Sequence, residues 1–479
     1  MNLRFFTILL SAMPFILLSQ TGHVMQGVGS VNMSMGGAAT AQPLDISGAI
    51  QWNPASISTF DESILRFDLG LFFSSPELSS TFGPFRGVTK DDRGVSPLPA
   101  LSYVWSKEGS KHTFGASAFG VAGFGVTFPE NNNYPQDRFG NSNPDFNPNN
   151  PVNPINFPQL AGGFGRIESD YILLQVGFTW AYEISEKFSI GVQPNIDYAT
   201  LEIQPNPLAV PSQTLGYPKS DKANAIGFGG QVGLFYDSGS GFKAGASYKT
   251  PQFFGDFDFE NTYLDPGQTS APGVSFNLDY PAIYSVGLGY STNDIDLALD
   301  YRYIDYENTD GFEASGWQIA QSGPFQGFPT GAVNGFGWES ISVISAGLQF
   351  KGIDKLPLRV GYTYSSNPIK DELAFFNSPA TAIIKNAFQL GLSYEANDNL
   401  SLDAVFHYGT SGGSTSGSLL NPTPAIDFNE DGFPDGPWDA TNNPLGIVPG
   451  SEVSYDMTTS MFMFGLNYTF QSKQKQAVN

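Results

Sequence analysis

The sequence predicts an all-β protein: a 14-stranded antiparallel transmembrane β-barrel with an N-terminal hatch plugging the lumen. Three observations lead there. Segments along the chain alternate between apolar and polar side chains. The connections between them alternate between short and long. An export leader is followed by no cysteine and no second long apolar run.

The leader comes first. Residues 1–22 read as a signal peptide, with Arg4 as its positive start and Phe5–Leu18 as its apolar centre, broken at Pro14. That centre is too short to span a bilayer as a helix. With no cysteine, the chain has no disulfide, no thiol chemistry and no cysteine-linked lipid anchor. No later stretch approaches the ~18 apolar residues of a spanning helix, so a membrane crossing has to be made by strands. Hydrophobic residues are 41% and aromatic residues 14%, the composition of an ordered chain. Charged residues are 14%, well below the roughly 25% of a soluble domain. The formal net charge of −23 argues against a nucleic-acid partner, because phosphate contacts need clustered Lys and Arg.

Strands follow from the period of two. In Tyr171–Tyr182, Ile172, Leu174, Val176, Phe178, Trp180 and Tyr182 form one unbroken apolar face that ends in aromatics. The opposite face is smaller and partly polar. A lipid-facing strand has this pattern, with aromatics at headgroup level. It recurs near 63–73, 99–107, 112–128, 171–182, 188–200, 225–236, 242–250, 283–292, 294–306, 341–350, 358–364, 388–395, 400–410 and 457–470. The last of these puts Phe462, Phe464, Leu466, Tyr468 and Phe470 on one face, followed by a polar C-terminal tail, 471–479. Fourteen is an even count, as a closed antiparallel barrel with both ends on one side requires.

Short turns are expected at Lys107–Lys111, Glu183–Lys187, Asp237–Gly241, Ser291–Asp294, Lys351–Pro357 and Glu395–Asn399. Long loops are expected near 74–98, 129–170, 201–224, 251–282, 307–340, 365–387 and 411–456. Outer-membrane barrels have short periplasmic turns and long external loops. The competing reading, a soluble β-sandwich, also alternates along its strands but does not produce this regular change of loop length. The barrel is therefore expected to span 63–470.

Residues 23–62 precede the first strand. The stretch from Met35 to Ser58 is small, nearly uncharged and broken by glycine and proline, which disfavours helix and strand alike. A barrel of fourteen strands is too wide for its wall side chains to fill, so a compact N-terminal segment would plug it. Asp45 and Asn53 are suited to bonding backbone groups in such a turn-rich plug. The competing reading makes these residues turns in a leader to the barrel.

Met35-Gly36-Gly37-Ala38, then Asp45, then Asn53-Pro54-Ala55, resembles the N-terminal hatch of the FadL/TodX (OMPP1) family of outer-membrane transporters of long-chain fatty acids and hydrophobic compounds. The strand count agrees. The resemblance implies an outer-membrane location and passive uptake of a fatty acid-like ligand, captured among external loops and released sideways into the outer-membrane lipid where the third strand kinks inward. It makes Gly36, Gly37, Ala38, Asp45, Asn53, Pro54 and Ala55 the candidate gate. The third strand here carries Gly120, Gly123 and Gly125, which break its alternation, as glycine does at a bulge or close approach. They are the candidate lateral opening, against the reading that small residues suit a crowded wall. The loop 129–170 that follows, rich in Asn, Pro and Phe, is a candidate part of the capture site.

Asp427, Asn429, Asp431 and Asp435 hold positions 1, 3, 5 and 9 of a calcium-loop spacing, with Gly432 at 6. Position 12 is Trp438 instead of Glu, with Asp439 as a substitute, so calcium and a plain acidic turn both fit. No cofactor is otherwise required. His23, His112 and His407 are far apart, and no nucleophile or zinc set accompanies them, which argues against an enzyme. His407, Asp296 and Asp300 alternate with apolar neighbours and read as lumen wall. Two other functions fit the same architecture. One is an interaction protein like the type IX secretion shuttle of the same family, binding a secreted partner through its loops. The other is a water-filled porin.

Overall fold

The computed structural model describes residues 22–107, 109–427 and 435–470. The expected signal peptide (but for Gly22), Asn429, Asp431 and Gly432 of the calcium-like loop, and the 471–479 tail lie outside them.

Fourteen antiparallel strands close the barrel: β1 (Ser63–Phe82), β2 (Ser96–Trp105), β3 (His112–Phe128), β4 (Ile167–Ser185), β5 (Phe188–Gln204), β6 (Ala223–Asp237), β7 (Phe242–Lys249), β8 (Ala282–Ser291), β9 (Ile295–Asp305), β10 (Ile341–Phe350), β11 (Leu358–Ser365), β12 (Asn386–Asn397), β13 (Leu400–Thr410) and β14 (Glu452–Phe470). Each pairs with its sequence neighbour. The ring closes where β1 meets β14, from Ser63 opposite Phe470 to Thr81 opposite Glu452. The strands thus form a closed ring, the arrangement that a hydrocarbon environment favours.

Side chains sort by parity. On β1, Leu65, Phe67, Leu69 and Leu71 are exposed outward while Arg66 and Asp68 are buried inward. On β4, Ile172, Leu174 and Phe178 face out, and Tyr171, Leu173 and Gln175 face in. The outer face of β14 is the one expected, with Phe462, Phe464, Leu466, Tyr468 and Phe470 exposed. His407, Asp296 and Asp300 line the interior.

Several expected loops prove partly structured. β1 runs to Phe82 and folds back as Phe85–Lys90 within the expected 74–98 loop. β14 begins at Glu452, inside the expected 411–456 loop. Ser74–Thr81 has no large outward apolar residues, so it gives no lipid-facing signal although it stays in the sheet. Other long loops carry short strands of their own, including Phe257–Thr262 against Ser270–Phe276 and Trp317–Ile319 against Pro329–Val333.

The N-terminal stretch lies in the lumen. From Gly22 to Ser58 every residue except Met25 and Leu44 is buried. The expectation that Met35–Ser58 forms no regular structure is corrected. A short helix, α1 (Ser30–Ser34), comes just before it; within it Ile46–Trp52 is a longer helix, α2, and Pro54–Thr59 forms a 3₁₀ turn. Gly48, which weakens α2 by composition, sits where a Cβ would meet Asn32 Cβ at 2.7 Å, so close packing requires it. Pro54 holds the first position of its turn, where its missing N–H is no loss.

Candidate functional site

Charged side chains of the strands fasten the hatch to the wall in two clusters. At β9, the Asp300 carboxylate accepts from Ala39 N (2.9 Å), Thr40 N (2.9 Å) and Thr40 Oγ1 (2.7 Å) through one oxygen. That oxygen also pairs with Arg302 at 2.9 Å. Arg302 in turn donates to Gly37 O at 2.5 Å and lies over the Trp52 ring, 3.7 Å from its centre. At β1, Asp68 accepts from Ser30 N and Ser30 Oγ, and Arg66 donates to Ser30 Oγ. Arg66 is shared among Asp68 (2.8 Å), Asp403 (2.8 Å) and hatch Asp45 (3.3 Å). Buried charges persist only when paired, so these contacts hold the hatch in one register.

Around the rest of the ring the wall yields space to the hatch. A Cβ on Gly191, Gly233, Gly245, Gly361 or Gly391 would come within 2.3 Å of Ala55 N, Asn53 Oδ1, Thr40 O, Gly36 N or Ser34 Cβ respectively. These wall glycines belong to β5, β6, β7, β11 and β12. Their inward parity is visible in the sequence, but it signals a plug only once the strand faces are assigned.

Each hatch residue singled out from the sequence is placed. Gly36 and Gly37 take φ of +69° and +77°, a conformation that resists side chains. A Cβ on Gly37 would lie 1.7 Å from Gln26 O. Thr363 donates to Gly36 O at 2.8 Å. Ala38 is buried against Met35 and Ala298. Asn53 donates to Thr40 O (2.8 Å) and to Leu234 O of β6 (2.9 Å), and accepts from Ala55 N (3.1 Å), joining hatch to wall. Asp45 is a correction. It precedes α2 without capping it, and its carboxylate faces Arg66 instead of backbone. Burial raises its pKa to about 7; Arg66 opposes that shift and Asp68 and Asp403 add to it. Burial lowers His23 to about 3. Its ring sits among Tyr171, Tyr280, Tyr306, Phe312 and Trp338, with Nδ1 2.9 Å from Tyr306 Oη.

The wall is interrupted between β2 and β3. Their ladder runs from Trp105 opposite Phe114 to Ala100 opposite Phe119 and stops there. Beyond it β2 continues against β1 through Ser96, and β3 continues against β4 through Phe128. Pro97 and Pro99 lack the N–H that a two-sided strand needs. On β3 the register slips between Gly120 and Ala122. The edge freed by this bulge turns to the hatch: Met25 N donates to Val121 O (2.9 Å) and Gly123 N to His23 O (3.0 Å). Higher up, Asp91 accepts from Thr127 N, and Arg93 pairs with Asp170 at 2.5 Å. Sequence reasoning singled out Gly120, Gly123 and Gly125 but not the prolines: it started the second strand at 99, past Pro97, and drew nothing from Pro99.

Behind the interruption lies a cavity of about 270 Å³, lined chiefly by apolar groups including Met25, Phe72, Leu98, Phe124 and Ile172. Ile172 faces outward and is 49% exposed, so the cavity reaches the outer surface of the wall. Gly120, Gly123 and Gly125 all border it. A second cavity, about 820 Å³, opens among the external loops, lined by Phe82, Phe85, Phe157, Trp317 and Phe375 and by Arg138 beside Asp137. Phe157 comes from the loop 129–170 expected to share in capture. Among the described residues no set of three or more metal-type ligands is brought together. Asp439, the substitute calcium ligand of the sequence reading, accepts from Thr441 N and Asn442 N in its own turn.

Residues 158–430 match the family model described as outer membrane protein transport protein (OMPP1/FadL/TodX). The fold is similar to the toluene transporter TodX of P. putida, with TM-score 0.61 and 16% identity over 93% of this chain and 99% of that one. It is similar to a FadL homologue of Pseudomonas aeruginosa, with TM-score 0.64 and 13% identity over 94% and 100%. The toluene transporter TbuX of Ralstonia pickettii gives TM-score 0.57 and 17% identity over 93% and 99%. No curated protein sequence matches the chain.

Proposed function

Because the chain belongs to the outer-membrane transport family OMPP1/FadL/TodX, we propose that it takes up hydrophobic ligands of the long-chain fatty acid type by passive lateral diffusion through the wall of its plugged barrel. The observation that carries this reading is the interrupted β2–β3 seam with an apolar cavity behind it. It lies toward the external end of both strands, so a ligand leaving there enters the outer leaflet of the membrane.

The chemistry needed is only transfer of apolar surface out of water, at about 25 cal/mol per Å² buried. A ligand first settles in the aromatic groove among the loops. Arg138 in its lining supplies a cation suited to a carboxylate head. The hatch blocks the axial path that a porin would keep open, while the freed edge of β3 remains bonded to His23 and Met25 and so is not left bare to lipid.

The test is uptake of a labelled long-chain fatty acid by cells that lack their own outer-membrane transporter and express this protein, with surface insertion verified. In Gly120→Leu the substitution falls on the cavity lining, where an added Cβ meets nothing closer than Leu98 Cδ2 at 3.9 Å. Uptake is expected to fall to the background of cells without the protein. Undiminished uptake through an inserted Gly120→Leu barrel would remove the wall route.

A further inference from the structure

Resting on the transport reading, the cavities assign a second gate that faces the outside. We propose that the inward-folded loop segment 373–384, between β11 and β12, is the size-selecting constriction of the ligand path, with Phe376 and Pro379 setting its width and Asn377 its latch.

External loops of a barrel are expected to project into water. This one does not: every residue from Leu373 to Ile384 is buried. The segment carries no charge and joins no β-ladder. It runs beside four cavities in succession. Phe375 borders both the external groove and a small void of about 30 Å³. Phe376 and Pro379 border that void and the next, of about 10 Å³. Thr381 and Ala382 border the wall cavity of about 270 Å³, which shares Phe124 with the smallest void. A water molecule needs about 10–15 Å³ of such space. The two middle voids therefore admit a water or two and no hydrocarbon, so a hydrocarbon follows this course from groove to wall cavity only if their lining, this segment included, moves.

Its fastenings suit a part that moves. The Asn377 amide donates to Phe336 O (2.9 Å) and Leu373 O (3.1 Å) and accepts from Trp338 Nε1 (2.7 Å). Ser169 Oγ on β4 donates to Pro379 O. Beyond the hydrogen bonds within its own turns, ring packing holds the segment, such as Phe376 on Trp317 at 4.9 Å and Phe375 on Phe164 at 5.3 Å. Apolar contacts carry no fixed direction, so a ligand's hydrocarbon can replace them one for one, whereas it cannot replace the carboxylate bonds of the hatch.

The experiment uses the full-length protein in vesicles and two probes, a straight-chain sixteen-carbon fatty acid and the same acid bearing a terminal pyrene. Phe376→Ala is expected to raise the pyrene-to-straight ratio of transport rates about tenfold, the scale on which an apolar pocket discriminates size. An unchanged ratio overturns the constriction. Wild-type protein that moves neither probe refutes the transport reading itself, and amide hydrogen exchange then decides the gate. Asn377→Ala is expected to speed exchange across 373–384 about tenfold or more, as loss of buried hydrogen bonds does, with α1 and α2 unchanged. Exchange in 373–384 that stays as slow as in β11 and β12 overturns it.

Discussion

Removing Asp300 should unlock the hatch while leaving the barrel standing. One oxygen of Asp300 holds two hatch N–H groups, one hydroxyl and Arg302. Both side chains of the pair are within 2% of full burial, so the interaction is not screened by solvent. In Asp300→Ala the closed hatch covers an arginine that has lost its counter-charge, whereas in the displaced state water reaches that arginine. Breaking a buried pair this way costs about 3–5 kcal/mol. At 1.4 kcal/mol per tenfold, the displaced population rises by about a hundredfold to a few thousandfold. The assay is single-channel recording in planar bilayers, with strand content checked by circular dichroism. Frequent openings are expected in Asp300→Ala and few in the wild type. Asp300→Ala combined with Arg302→Met should return most of the closure, because removing both charges leaves nothing unpaired. Asp296→Ala is the control: Asp296 lies on the inner face of the same strand but bonds Gln349 and Lys351, both in or beside the wall. Silent bilayers from a folded Asp300→Ala barrel, or openings as frequent in Asp296→Ala, would refute the placing of the hatch lock at this pair.

Gly361→Val should also displace the hatch, since its Cβ would lie 2.2 Å from Gly36 N, while Gly255→Val, with nothing within 4 Å, should behave as wild type in the same recordings. Two hatch groups should titrate against each other. Burial raises Asp45 from 3.8 to about 7, so its contribution to closure is lost as pH rises through that interval; burial lowers His23 from 6.5 to about 3, so its contribution is lost as pH falls through that one. Between about pH 4 and 6.5 the two slopes oppose, so wild-type opening frequency should stay nearly level there, and Asp45→Asn should expose a rise in openings as pH falls; a level Asp45→Asn profile would contradict the assignment.

The strands were legible because lipid and lumen impose opposite chemistry on alternate residues. Leu65-Arg66-Phe67-Asp68-Leu69 shows this directly, and so does Leu299-Asp300-Tyr301-Arg302. Where that contrast fades, as in Ser74–Thr81 above the hydrocarbon, the pattern gives no sign that the strand continues. The hatch motif located the plug but not its fastenings. Asp300 was read as lumen wall, yet nothing local says that it bonds residues some 260 positions earlier. Asp45 was expected to bond backbone and instead faces Arg66, because the hatch brings a carboxylate to a wall cation that already has two. The segment 373–384 looks like an ordinary surface loop in composition, apart from lacking charge. Its inward course depends on room left above the hatch, which no single strand's sequence records.

The two proposed closures differ in chemistry, and on the transport reading that difference would set the selectivity of the barrel. The hatch is held by carboxylate and guanidinium bonds that an apolar ligand cannot imitate, so a ligand has no differential affinity with which to displace it. The external segment is held mainly by ring and alkyl packing, which a ligand can replace. A hydrocarbon arriving in the loop groove therefore shifts the second equilibrium and not the first. Ions and water have the reverse problem: they gain nothing from the aromatic passage. A lateral exit completes the logic. The wall cavity lies beside Met25, at the start of the hatch, and not beneath its charged fastenings at Asp300 and Arg66. On the proposed transport reading, a ligand would thus pass from groove to membrane while the axial seal stays shut.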